Sequence, residues 1–143
     1  SMQNERKRRM RPNLVTYNAA IEGFLAHDDH ASALGALTNL SRWFTPNKFT
    51  WTALLQVEDP AFLYTALSTF ADSRLAVNPH VYSKWLGVAA AHNEVDYLED
   101  IAQRRRAGDL KLLPNRFLLT SDLIAKEQGV LSMAALRAKQ QPL

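Results

Sequence analysis

His27-Asp28-Asp29-His30 sets two imidazoles and two carboxylates side by side, the donor types of a metal site. Consecutive ligands cannot all converge on one ion without a second segment, and no catalytic Glu or partner His motif accompanies them. A solvated turn is therefore the expectation. Arg104-Arg105-Arg106 could meet phosphate, but cations near the end of a helix also suit the negative end of its dipole, and here a solvated face is expected. Asn18, Thr52, Ser83 and Thr120 are short polar residues set into apolar stretches, where they could donate to or accept from a ligand. There is no Gly-rich phosphate loop, no His-x-Glu with Cys-x-x-Cys and no acidic cluster suited to two metals. Neither an enzyme nor a cofactor is expected.

The elements that must hold these residues repeat along the chain. Pro12, Pro46, Pro79 and Pro114 are separated by 34, 33 and 35 residues, and Asn adjoins each: Asn13, Asn47, Asn78 and Asn115. A period of this length marks an array of stacked supersecondary units. After each proline comes an apolar stretch at three-and-four spacing: LVTYNAAIEGFLAH, KFTWTALLQ, HVYSKWLGVAAAH and RFLLTSDLIAKEQG. Each reads as a first helix. Polar turns follow at 28–30, 58–60, 93–94 and 128–129, and then a second apolar pattern. Its members are Ala33, Leu34, Leu37 and Leu40 in the first copy, Ala66, Leu67 and Phe70 in the second, Tyr97, Leu98 and Ile101 in the third, and Leu131, Ala135 and Leu136 in the fourth. The expected fold class is all-α, an array of antiparallel helix-turn-helix hairpins with about four repeats and eight helices. Repeat boundaries fall at 12–45, 46–77, 78–113 and 114–143.

Composition narrows the function. Of 143 residues, 47% are hydrophobic and 22% charged, the balance of a globular chain. With no cysteine, disulfides and thiolate metal sites are excluded. No apolar run approaches the roughly 18 residues of a membrane span, so no membrane partner is expected. Residues 1–11 read as a basic tag or linker arm, expected to be disordered. Arg6, Lys7, Arg8, Arg9 and Arg11 against Glu5 give it +4, which leaves the remainder at −1 within a total of +3. Net charge is thus a weak argument for nucleic acid.

The phrase PNLVTYNAAIEGFLAHDDHASALGAL resembles the pentatricopeptide repeat family, whose motif runs Pro-Asp/Asn, two apolar residues, Thr-Tyr-Asn, Leu-Ile, with Glu-Ala-Leu in its second helix. Later copies keep it in PNKFTWTALL, VYSKWL and PNRFLLTSDLI. A tetratricopeptide alternative fails, since Trp85-Leu86-Gly87 has the wrong spacing. The resemblance implies a right-handed α-solenoid that binds single-stranded RNA, one base per repeat, in a mitochondrion or other organelle. It implies that the first base is read by Asn18 and Asn47 with Val15 as a wedge against the ring. The second would be read by Thr52 and Asn78 with Phe49 as wedge, and the third by Ser83 and Asn115 with His80 in the wedge position. Thr120 and Phe117 would begin a fourth site. The implied sequence is C-A-A.

Two other readings accompany these residues. Asn13, Asn47 and Asn115 stand where helix N-caps belong, a role compatible with base reading. A protein-interaction scaffold, gripping a partner in an organellar RNA-processing or ribosomal complex, fits the near-neutral body. The RNA-binding reading predicts a concave face lined by the first helices, with Asn18, Thr52 and Ser83 exposed on it.

Overall fold

A computed structural model describes residues 12–140, so the basic arm at 1–11 lies outside the described residues. Seven helices occur among those described: α1 Leu14–Ala26, α2 His30–Trp43, α3 Lys48–Leu55, α4 Pro60–Asp72, α5 Pro79–Ala91, α6 Val95–Ala107 and α7 Thr120–Gln140. The class is all-α and repeat-like. The one extended pairing is an isolated parallel bridge between Val77 and Leu112, which ties the segment before α5 to the segment before α7.

Asparagine and aspartate start most of these helices. The side chains of Asn13, Asp29, Asn47, Asp59 and Asn78 accept backbone N–H groups at the starts of α1 to α5, satisfying donors that lack an intrahelical partner. Pro60 and Pro79 stand at the first positions of α4 and α5, where a missing N–H costs nothing. The turns between hairpin partners also repeat. Asp28 and Asn93 both take φ of 54°, and the ring Nδ1 of the preceding His27 and His92 lies 2.9 Å from the Gly23 and Val88 carbonyl oxygens. Gly108 closes α6 in the left-handed region at φ 84°, where a side chain would be strained.

Packing follows the repeat. The first helices α1, α3, α5 and α7 each contact the next, and so do the second helices α2, α4 and α6. The core lies between these two sets. It holds Ile21, Leu37, Leu40, Leu54, Phe70, Trp85 and Ile101, all fully buried. Trp51 meets Phe70 at 5.2 Å between ring centroids, and Tyr64 stacks on Tyr97 at 4.2 Å beside Trp85. Of the second-helix residues read from the sequence, Ala33, Ala66, Leu67 and Leu98 are buried as well, whereas Leu136 is half exposed.

The fourth hairpin is not formed. The chain turns through Asn115–Leu119 and then runs as one helix of 21 residues across Gln128-Gly129, where the sequence signals a turn. A single glycine costs a helix only about 1 kcal/mol, no proline stands within ten residues after it, and the helix is held on both sides of it by Leu123, Glu127 and Ala134 against the fold. Gly129 faces solvent, and a Cβ there would meet nothing within 4 Å. Gly129→Ala is therefore expected to stabilise the chain by about 0.5–1 kcal/mol in urea unfolding. A turn at this position would give the opposite sign.

Candidate nucleic-acid interface

Val15, Phe49, His80 and Phe117 each lie two residues after an asparagine of the repeat, Asn13, Asn47, Asn78 and Asn115. The side-chain oxygen of the asparagine accepts the backbone N–H of Phe49 at 3.1 Å, His80 at 2.8 Å and Phe117 at 2.8 Å. At the first copy the accepted N–H comes from Thr16, at 2.9 Å. An asparagine turn thus precedes each of the four side chains, and all four are exposed. Val15 is 74% exposed, Phe49 54% and Phe117 80%, and His80 is exposed. Two of the rings carry a cation: Lys48 Nζ stands 5.2 Å from the Phe49 centroid and the Arg116 guanidinium 4.8 Å from that of Phe117. Exposed ring faces beside cations suit stacking on bases and contact with phosphate.

The polar positions behave differently from one another. Asn18 is only 5% exposed, which corrects the expectation of a solvent-facing residue. Its Nδ2 donates to Asn47 Oδ1 at 2.9 Å, and the buried Thr50 hydroxyl donates to its Oδ1 at 2.6 Å. The backbone N–H of Asn47 donates in turn to Thr50 Oγ1 at 3.2 Å, so the hydroxyl proton is directed to Asn18. These bonds fix both amide orientations, because Asn47 Oδ1 must face the N–H groups of Phe49 and Thr50. Asn18 thereby joins α1 to the start of α3. Asn47 retains its own Nδ2 as a donor. Thr50 carried no signal in the sequence beyond being a small polar residue one step after Phe49.

Thr52 is exposed, and its hydroxyl donates to the Lys48 carbonyl at 2.7 Å, leaving the oxygen free to accept. Ser83 is half-buried and already engaged: Lys126 Nζ donates to its Oγ at 2.8 Å and to its carbonyl at 3.0 Å. Asn78 caps α5 through the N–H groups of His80 and Val81. Asn115 accepts from Phe117 and Leu118 without a helix following at once. Thr120 opens α7 and is exposed.

Within the arginine run Arg106 is exposed, as expected of a solvated face, but Arg104 and Arg105 are half-buried and paired. Arg105 donates through Nε at 2.6 Å and Nη2 at 2.8 Å to the two carboxylate oxygens of Glu127, a fully buried residue that also accepts the Tyr82 hydroxyl. Burial opposes the Glu127 charge, but the bonds from Arg105 and Tyr82 outweigh it and hold the carboxyl below its ordinary value. Burial, then the bond to Glu127, pushes the Tyr82 phenol well above its usual range. Arg104 pairs with Asp100 and Asp72. Sequence reading missed this cluster because Glu127 stands beside an apparent turn, 22 residues from Arg105.

Three of the four residues at 27–30 have separate partners. His27 meets the Gly23 carbonyl, Asp29 caps α2 through Ser32, and His30 Nδ1 lies 3.0 Å from Asp59 Oδ2. Among the described residues no group of three or more His, Asp or Glu is arranged to hold a metal ion. Nor is any described helix long and apolar enough to cross a membrane. No family model, curated protein or solved structure matches this chain.

Proposed function

We propose that the chain is a single-stranded RNA-binding module of the right-handed α-solenoid type, akin to the pentatricopeptide repeats its first copy resembles, with an organellar role in RNA metabolism and no catalysis of its own. The observation that carries this reading is the exposed row Val15, Phe49, His80 and Phe117, held at one register of four successive copies. Single exposed apolar side chains are ordinary on a protein surface. Repetition at one register, with Lys48 and Arg116 against two of the rings, is what favours stacked bases.

Base selection is the weaker part of this function. With Asn18 engaged by Thr50 and Asn47, the first base is read through the Asn47 amide, and Thr52 and Ser83 supply the short polar groups for the next two. The preference for C-A-A is accordingly shallow, and stacking dominates affinity. In fluorescence anisotropy with short labelled RNAs, Phe49→Ala combined with Phe117→Ala is expected to weaken binding by about tenfold or more, since each stacked base is worth roughly 1–3 kcal/mol. RNAs with and without C-A-A should differ by less. Unchanged affinity in the double variant contradicts the reading.

A protein-interaction scaffold is the second reading. It is favoured by an acid-rimmed cleft of about 860 Å³ between α1, α3 and the turns that follow them, a surface that repels phosphate.

A further inference from the structure

The acid-rimmed cleft has a floor that includes Leu25 and Val57 and a rim of Glu22, Asp28, Glu58 and Asp59, with no Lys or Arg among its lining residues. Glu58 pairs with Lys84, and Asp59 caps α4 and meets His30. Among the described residues, Glu22 and Asp28 have neither a side-chain hydrogen bond nor an ion pair. The cleft therefore carries uncompensated negative charge over an apolar floor. That combination fits long cationic side chains, whose methylene stems cover apolar surface while the charged heads stay at the rim.

We propose that the occupant is the chain's own basic arm, Arg6 to Arg11, folded back along α1. Charge and reach both support this assignment. The arm carries +4 and the remainder of the chain −1. The arm joins the fold at Pro12, at the start of α1, while the cleft lies at the end of α1 near Ala26. Twelve helical steps from Leu14 to Ala26 rise about 18 Å, and the six residues from Arg6 to Pro12 span about 20 Å when extended. The path is open: Val15, Ala19, Glu22 and Ala26 form an exposed stripe of one face of α1. An arm lying on it brings Arg6 and Lys7 to the rim carboxylates. This docking does not rest on RNA binding.

The absence of native cysteine makes a single-site label simple. With a nitroxide on Gln3→Cys in the full chain, amide signals at 22–28, 56–59 and His92 are expected to broaden selectively at low ionic strength. The broadening should fade at about 0.5 M salt, where screening shortens the range of the attraction to a few ångströms. It should fade equally in Glu22→Gln combined with Asp28→Asn and Glu58→Gln, a variant that keeps the Asp59 cap. Uniform broadening along the chain overturns the proposal, as does selective broadening that survives the neutralised rim. So does transfer of the effect to an unlabelled isotopic copy mixed with a labelled one, which places the arm on a second molecule.

Discussion

Glu127→Ala is expected to lower unfolding stability by about 3 kcal/mol or more, because breaking a buried pair on one side leaves the other charge without compensation. Glu127 is fully buried and its two oxygens receive Arg105 in a fork, with the Tyr82 hydroxyl and the Gln128 amide as further donors. The Arg105 side chain is 14% exposed, so water recovers a fraction of the loss. The cluster joins α5, α6 and α7 at one point, and its loss should loosen α7 first. Urea unfolding measures the total, and amide exchange in α7 measures the local part. The carboxyl is held below its ordinary value, so its stabilising contribution is complete above the normal carboxylate range and is lost as pH falls through the lowered value. The wild type should therefore lose stability more steeply in strong acid than Glu127→Ala does. Equal acid slopes contradict this assignment.

Trp85→Ala is expected to cost a comparable amount, about 3–5 kcal/mol, through the cavity it opens. Trp85 is fully buried in α5 and sits 6.2 Å from Tyr64 and 6.5 Å from Tyr97, measured between ring centroids. Those tyrosines belong to α4 and α6, so the indole packs against the second helices of two consecutive hairpins. Its Nε1 is buried without a hydrogen-bond partner, a cost the native state already bears. Trp85→Phe removes that unpaired N–H along with part of the ring. Its loss should be well below that of alanine in the same unfolding assay, and an equal loss would contradict the cavity as the source of the cost, since phenylalanine fills most of the space that alanine leaves empty.

The repeat was legible because its punctuation is local. An asparagine cap fixes a helix start by accepting N–H groups two or three residues on, and a proline directly after it, as at Pro79, adds a backbone angle already suited to the first turn. Asn13, Asn47 and Asn78 cap helices for that reason. The outward placement of Phe49 and Phe117 was foreshadowed by their slot in the repeat, although an apolar residue there reads equally well as core.

What was not legible depends on partners distant in sequence. Asn18 looks like an exposed polar residue until Thr50, 32 positions later, brings a hydroxyl against it. Ser83 looks free until Lys126 arrives from α7, 43 positions away. Glu127 looks like the lip of a turn, since Gln128-Gly129 is a local breaker signal. Packing of Leu123 and Ala134 on either side overrides that signal at the cost of one glycine in a helix. In each case a tertiary contact decided the fate of a side chain whose neighbours in sequence suggested another.

The central claim is that bases stack on the row while cations near it hold the phosphates, and the salt dependence of RNA binding tests it most directly. For an arm-deleted chain beginning at Pro12, which keeps every described helix, log K against log salt should fall with a slope of about −1 to −1.5, as for two phosphates of a single strand neutralised by Lys48 and Arg116. Phe49→Ala with Phe117→Ala should lower that line without tilting it, because stacking releases no counterions. A flat line, or binding that vanishes once residues 1–11 are removed, would contradict the account and leave the repeat as a surface for another protein.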